Sequence, residues 1–391
     1  MSVQNFDLVI IHYRFYDTFM KLNKRVDLRK QPIQTKYFQP TAQARKSKNL
    51  AEDVARAGRK NVEEKSNLKK EDTLLVLVGG WPDDVEGESY SVVSLKPCDG
   101  LKLPPLPKKY MWDPLAELVQ HQMLLCNIDY DMYLLEKQID YGCWGLNFES
   151  PSLAWTAFPP PPKKLFLSAS ASWRGQLAIV GGSERHHSDL SLVDGTTHLQ
   201  LYNPKQRTWT QGPKMPAPLF EGCAVPVRQQ GLLVLGDFEA GKTNLYLLTG
   251  PEGEWRAMPV SRHYHSRPGC AVANLGRGNE GLVAVTGDRT EFFSFTRQVW
   301  VDLPNPVSHR AASMHVSVGV SQGRLVMAGG WDREMQEKSH LVEAWEEGRG
   351  WVPLAHQLKV GRTRQAELEL PASLCEQASI SSYRTANRTS W

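Results

Sequence analysis

The chain has 391 residues and is close to charge balance, with 46 Lys and Arg against 42 Asp and Glu. The apolar run at residues 6–11 is far too short to span a bilayer or to act as a secretory leader, and charged residues follow it. We therefore expect no membrane span and no signal peptide, and we place the protein in the cytoplasm.

Residues 1–72 differ in composition from the rest of the chain. They hold 16 Lys and Arg against 9 Asp and Glu, and their few apolar positions are interrupted by Gly58. This composition predicts a basic N-terminal extension that is disordered or partly helical. Its basic residues are not interleaved with aromatic ones, so we expect no nucleic-acid partner.

From residue 73 onward one short pattern recurs. An apolar strand ends in Gly-Gly or Gly-Asp, and it is followed by an aromatic residue, a Trp and a turn marked by Pro. The strand with its small residues occurs at 74–80, 177–182, 232–237, 282–288 and 324–330. A repeat of this size is typical of propellers and solenoids, in which each unit buries its faces against its neighbours.

The spacing of the copies indicates a sixth, degenerate unit. The ends of the five strands are 102, 55, 51 and 42 residues apart, so the first gap holds about two units. Within that gap, residues 123–127 have strand character, and Phe148 precedes Trp155 by seven residues, as Tyr202 precedes Trp209. Each unit has short apolar runs bounded by Gly, Pro and Asn, which predict four strands.

These residues resemble the kelch-repeat family, whose members form β-propellers, over roughly residues 73–375. The resemblance implies an all-β, six-bladed kelch-type β-propeller, with a strand from the far terminus completing the first blade. The first copy departs from the pattern because Leu101 stands where a Trp is expected. We predict blades at about 73–107, 117–160, 165–216, 219–259, 267–304 and 310–354, a closing strand at about 362–374 and a C-terminal tail at 376–391.

Three apparent chemical motifs predict no site. The stretch 236–243 matches a phosphate-binding loop, but the repeat register makes it a hairpin between the second and third strands of a blade, with no helix to bind phosphate. The His residues at 186–187, and His263 with His265, have no third ligand at telling spacing, so we interpret them as exposed loop residues and expect no metal or cofactor. The six Cys are scattered without metal or redox spacing, which predicts reduced thiols.

The loops indicate where a partner would bind. In kelch propellers, as the resemblance implies, partners bind the face formed by the loops between second and third strands and by the links between blades. Arg residues recur near the start of the first strand of each unit, and guanidinium groups suit carboxylates. We predict a shallow basic pocket for an acidic peptide segment, formed by Arg262, Tyr264, Arg267, Arg310, Arg362 and Arg364, with Trp81, Arg185, Trp331 and Arg333 nearby.

The expected function is therefore protein binding rather than catalysis. The resemblance implies two roles, a substrate-recognition adaptor of a cullin-type ubiquitin ligase and an actin-binding or cytoskeletal scaffold. Residues 1–72 show no recognisable BTB domain, which ligase adaptors of this family carry ahead of the propeller. The alternative is a propeller enzyme of the oxidase-like type with its active site at the mouth of the channel, although no catalytic constellation of fixed spacing is present.

Overall fold

The structure is a computed structural model. It describes residues 73–374 apart from 83–89, 94–102, 109–110, 112, 130–139, 185–194, 228–230, 240–241, 251, 264, 266, 277, 287–288, 307–314, 333–334 and 364. The predictions for the extension at 1–72 and the tail at 376–391 lie outside the described residues. Within the described residues, no helix has the length and hydropathy that crossing a bilayer requires.

The chain forms a β-propeller with five four-stranded antiparallel blades. The first two blades contain β4 (Leu115–Val119), β5 (Gln122–Asp129), β6 (Asp140–Asn147) and β7 (Trp155–Phe158), then β8 (Ala169–Trp173), β9 (Gln176–Val180), β10 (Leu199–Asn203) and β11 (Thr208–Gln211). The next two contain β12 (Phe220–Val227), β13 (Gly231–Glu239), β14 (Lys242–Leu248) and β15 (Trp255–Ala257), then β16 (Gly269–Asn274), β17 (Glu280–Thr286), β18 (Arg289–Ser294) and β19 (Val299–Asp302). The fifth contains β20 (Ser317–Ser321), β21 (Arg324–Ala328), β24 (Val342–Glu346) and β25 (Gly350–Pro353).

A three-stranded sheet lies where the two ends of the propeller meet. It consists of β27 (Ala366–Pro371), β1 (Thr73–Val78) and β3 (Tyr90–Val93), in that order. Two short ribbons accompany it, β2 (Trp81–Pro82) with β26 (Arg362–Thr363), and β22 (Trp331–Asp332) with β23 (Glu337–Lys338). The prediction of six blades is thus corrected to five, because the first unit forms no fourth strand in the described residues after 102. Leu101, where the other units have Trp, marks this departure in the sequence.

The first strands of the sheets close into a ring around a central channel. Neighbours contact each other in the order β4, β8, β12, β16, β20, β27 and back to β4. Strand β27 pairs antiparallel with β1 over six residues, from Thr73 opposite Pro371 to Val78 opposite Ala366. The hydrophobic clusters lie between adjacent sheets, so strands such as β1 and β9 are buried on both faces.

The glycine pairs bring successive sheets into contact through their backbones. The second glycine of a pair donates its N–H to a carbonyl of the following linker: Gly80 to Met111 (2.9 Å), Gly182 to Leu219 (2.7 Å) and Gly330 to Arg362 (2.8 Å). A Cβ on Gly80 would lie 2.6 Å from the carbonyl oxygen of Thr363, and φ at this residue is +78°. Only glycine tolerates both the close approach and the left-handed backbone.

The Trp and Pro of the repeat form a second bond between sheets. A Trp in the fourth strand of a blade donates its indole N–H to a Pro carbonyl that follows the previous sheet: Trp155 to Pro104 (3.4 Å), Trp209 to Pro159 (2.7 Å), Trp255 to Pro213 (3.0 Å) and Trp300 to Pro259 (2.7 Å). The contact of Trp155 with Pro104 shows that the segment after β3 packs on the first blade although it forms no strand. In the fifth blade the Nε1 atom of Trp351 has no hydrogen-bond partner among the described residues.

The hairpin predicted at 236–243 is confirmed. Strand β13 turns back into β14, with Asp237 opposite Thr243 and Glu239 opposite Lys242. The residues after Lys242 therefore continue a sheet, and the local match to a phosphate-binding loop has no helix behind it.

The expectation of reduced thiols is wrong for four of the cysteines. Cys126 and Cys143 lie opposite each other on β5 and β6 and form a disulfide, and Cys223 forms another with Cys270, joining the first strands of two successive blades. The spacings of 17 and 47 residues reflect strand pairing and blade repetition rather than a local motif. Sequence spacing alone gave no reason to pair them.

Two matched substitutions test the Trp–Pro bond. Trp300 and Trp351 are both buried, with 6% and 2% of their surface exposed, but of the two only Trp300 donates its indole N–H to a partner among the described residues, namely Pro259 O. We expect Trp300→Phe to lower the free energy of unfolding by about 1 kcal/mol more than Trp351→Phe, since only the former breaks a hydrogen bond. Urea denaturation of both variants measures the difference, and equal losses would contradict the assignment.

Peptide mapping without reductant tests the disulfides. We expect covalently linked peptides containing Cys126 with Cys143 and Cys223 with Cys270, and their loss after reduction. Complete alkylation of all four residues in unreduced, denatured protein would show that the thiols are free.

Candidate functional site

The linkers into the first strands share an unusual backbone conformation at the mouth of the channel. A residue just before the first strand, or at its irregular start, has a positive φ in each of the five blades, namely Asp113 (43°), Leu167 (57°), Glu221 (53°), Arg267 (50°) and His315 (58°). The N–H of Glu221 donates to Leu167 O, and the N–H of Arg267 donates to Glu221 O. We call these five residues the mouth ring, and three of them, Leu167, Glu221 and Arg267, link successive blades through their backbones.

Arg267 connects opposite sides of the mouth ring. Its Nε donates to Glu221 Oε1 at 2.6 Å, and its Nη1 lies 3.5 Å from Asp113 Oδ1. Strands β16 and β4, which follow Arg267 and Asp113, are three places apart in the ring of first strands, so the guanidinium spans the channel. The side chains of Arg267 and Glu221 are 12% and 4% exposed, whereas that of Asp113 is 31% exposed.

The other predicted site residues differ in burial and in the groups they contact. Arg262 is largely exposed, and its Nη1 lies 2.9 Å from Asp302 Oδ2. Arg362 is fully buried and donates from Nη1 to Gly79 O at 3.0 Å, so it holds the closing region together. Trp331 is half-buried in the ribbon with β23. Tyr264, Arg185, Arg310, Arg333, Arg364 and the side chain of Trp81 lie outside the described residues.

A buried His–Glu pair lies under the linker at 258–268. His265 and Glu291 are both fully buried, with His265 Nε2 at 2.7 Å from Glu291 Oε2. His265 Nδ1 lies 3.0 Å from Thr286 Oγ1, and its backbone N–H donates to Thr243 Oγ1 at 2.6 Å. The interpretation of His265 as an exposed loop residue is therefore wrong, because it fixes the linker between the third and fourth blades.

The carboxylate of Glu291 receives several further donors. Ser261 Oγ donates to Oε2 at 2.5 Å, and the backbone N–H groups of Arg262 and His263 also donate to this carboxylate. Burial alone would raise the pKa of Glu291, but the hydrogen bonds from His265 and Ser261 outweigh it and hold the pKa below its ordinary value. The group is thus a buried carboxylate anion stabilised by donors.

This arrangement differs from that of a serine nucleophile. Ser261 Oγ and His265 Nε2 contact the same oxygen of Glu291, so the carboxylate lies between them. In a Ser–His–acid relay the imidazole takes the central place and accepts the hydroxyl proton. Ser261, Glu291 and His265 therefore position the linker.

One group of side chains on this face has the composition of a metal site. The ligand atoms of His263, Glu291 and Asp302 all lie within 4.8 Å of one another. His263 Nε2 and Asp302 Oδ1 are 2.8 Å apart, and these side chains are 32% and 50% exposed. Sequence reasoning missed the group because Glu291 and Asp302 come from β18 and β19, 28 and 39 residues after His263.

The channel itself carries carboxylates that bridge first strands. Glu117 on β4 accepts hydrogen bonds from Ser170 Oγ and Ser172 N of the next blade, at 2.9 and 3.0 Å. Glu367 and Glu369 on β27 bond to β20 through Ser317 Oγ and Val320 N. Burial, together with the nearby charges of Glu367 and Glu369, raises the pKa of Glu117 to about 8, and burial raises that of Glu367 to about 7.

Comparison with known proteins supports the fold. No protein-family model matches the chain, and no curated protein sequence matches it. A solved structure described as "Structure of YjhT" matches with a TM-score of 0.52 at 18% sequence identity, covering 69% of this chain and 90% of that chain. At this identity the likeness shows the β-propeller fold alone.

The raised pKa of Glu117 predicts how stability depends on pH. The pKa of Glu117 is about 8 in the folded state, against an ordinary value of 4.5. Between pH 4.5 and pH 8 the carboxyl is therefore protonated in the folded protein and ionised in the unfolded protein. Stability therefore falls as the pH rises from about 4.5 to 8. As the pH rises from 5 to 8, we expect the free energy of unfolding of Glu117→Gln, which stays neutral, to increase relative to that of wild type by on the order of 3 kcal/mol.

Denaturant unfolding at both pH values measures this change. Glu149→Gln is the matched control, because Glu149 is exposed and lies at the end of β6 away from the mouth ring. A pH dependence that is the same in Glu117→Gln and wild type would contradict the assignment.

Proposed function

We propose that this protein is a non-enzymatic interaction module of kelch type, which binds an acidic segment of a partner protein at the mouth ring. The glycine pairs and the Trp–Pro bonds between sheets support the kelch assignment, since they give structural roles to the residues that carry the resemblance. Such a rigid scaffold commonly presents its binding residues on loops. The two roles implied by the resemblance, ligase adaptor and cytoskeletal scaffold, both use a surface of this kind.

The geometry of Arg267 is the observation that carries the proposal. Glu221, which is nearly buried, fixes one edge of the guanidinium at 2.6 Å. The contact with Asp113 on the other side is longer, at 3.5 Å, and Asp113 is partly exposed. A carboxylate from a partner can replace Asp113 without disturbing Glu221, and it finds a preorganised donor.

Asp113 therefore acts as an internal competitor for an acidic ligand. In the free protein it neutralises charge that Arg267 would otherwise present at the mouth of the channel. The contact is long, at 3.5 Å, and Asp113 is partly exposed, so replacing Asp113 costs the ligand little. Arg262, exposed on the same linker and paired with Asp302, offers a second cation to a segment that crosses the face.

Peptide binding to substituted proteins tests the proposal. We expect fluorescence anisotropy to detect binding of a library of Asp- and Glu-rich peptides, and weaker binding of matched neutral and basic libraries. Arg267→Met removes a charged hydrogen-bond donor, so acidic peptides should bind about 10-fold or more weakly. Asp113→Asn removes the competitor and should strengthen binding up to about fivefold.

Arg324→Met provides the control. Arg324 pairs with Glu346 at 3.1 Å, with both side chains about one-third exposed, at the end of the strands away from the mouth ring. This variant should bind acidic peptides as wild type does. Equal affinity of wild type, Arg267→Met and Asp113→Asn, with folding verified by circular dichroism, would overturn the proposal.

A further inference from the structure

The group formed by His263, Glu291 and Asp302 has three features of a metal site. Its ligand atoms are one imidazole nitrogen and two carboxylate oxygens, within 4.8 Å of one another. They come from three separate elements, namely the linker at 258–268, β18 and β19. Metal bonds of about 2.0–2.2 Å require ligand atoms closer together than 4.8 Å. A small movement of the exposed side chains of His263 and Asp302 provides this.

Glu291, the most buried of the three ligands, is held in place by neighbouring side chains. Glu291 is fully buried, and His265 Nε2 and Ser261 Oγ hold its Oε2 atom at 2.7 and 2.5 Å. His265 is in turn held by Thr286 Oγ1 at 3.0 Å. Residues that orient the ligands in this way are typical of protein metal sites, and here they belong to a buried network that would otherwise serve only one short linker.

The two outer groups leave room for an ion to enter. His263 is 32% exposed and Asp302 is 50% exposed, so both reach solvent. Arg262 contacts Oδ2 of Asp302, which leaves Oδ1 directed at His263 Nε2. The exposed pair of His263 and Asp302 adds little stability by itself. Stability alone therefore does not explain why these two side chains lie beside Glu291.

The nature of the ligands indicates which ion fits. Hard ions such as Mg²⁺ and Ca²⁺ prefer oxygen ligands alone, whereas an imidazole with two carboxylates suits Zn²⁺ and related transition ions. The channel carboxylates Glu117, Glu367 and Glu369 offer no nitrogen ligand and bond to neighbouring strands, so they do not form a comparable group.

We propose that His263, Glu291 and Asp302 each give one ligand atom, an imidazole nitrogen or a carboxylate oxygen, to a divalent transition ion of the zinc class on the loop side of the fourth blade. Water completes the coordination from the exposed side, and His265 and Ser261 position Glu291. Zinc binding does not involve Arg267, so the zinc and peptide measurements can fail independently of each other.

Zinc titration of the full chain tests the site. Protein freed of metal with a chelator is titrated with zinc alone in competition with a chromophoric chelator, and we expect one ion per chain with micromolar or tighter affinity. His263→Ala and Asp302→Asn should each weaken binding about 10-fold or more. Cobalt(II) should give d–d absorption bands in wild type that both substitutions abolish.

The matched control is His121→Ala. His121 and Glu149 form another exposed His–carboxylate pair, at 3.6 Å, at the opposite end of the strands. Its loss should leave zinc affinity unchanged. Asp302→Asn changes one exposed side chain conservatively, so it remains informative if His263→Ala destabilises the fold. The proposal is overturned if wild type binds no zinc at about 100 µM, or if Asp302→Asn binds as tightly as wild type.

Discussion

The pairing of β27 with β1 is the constraint on which the rest of the molecule depends. Six residues from one end of the propeller pair with six from the other, and this contact turns a row of sheets into a ring. Closing so long a loop carries an entropic cost, but that cost grows only slowly with loop length. The ring in turn gives every first strand two neighbours, so that the apolar faces between sheets are covered.

Closure also determines where the polar groups of the molecule lie. Arg362, carried by the segment just before β27, is buried against the carbonyl of Gly79 just after β1. Burial in the channel raises the pKa of Glu117 and favours its protonated form, and the charges of Glu367 and Glu369, carried by β27, add to this effect. The ion pairs of Arg267 with Glu221 and Asp113 lie instead at the mouth ring.

The parts of this fold that sequence reasoning predicted are those that every unit repeats. The glycine pairs and the Trp and Pro positions each make one contact with the adjacent sheet, and the repeat multiplies the signal. Leu101 already marked the unit in which the fourth strand is missing. The disulfides and the His265–Glu291 pair could not be predicted in this way, because each joins two particular strands and occurs once. Arg267 as a binding residue stays a prediction, and its carboxylate partners Glu221 and Asp113 were not predicted because they come from two other blades.

The mouth ring combines a backbone requirement with a group of charged side chains. A left-handed backbone at this position lets the linker N–H groups of Glu221 and Arg267 reach the carbonyl of the preceding blade. That conformation is uncommon for residues other than glycine, yet the five residues here include Asp, Glu, Arg and His. Three of these side chains, Arg267, Glu221 and Asp113, pair with one another across the channel. Because backbone hydrogen bonds hold Glu221 and Arg267, the short pair between their side chains is fixed in one arrangement.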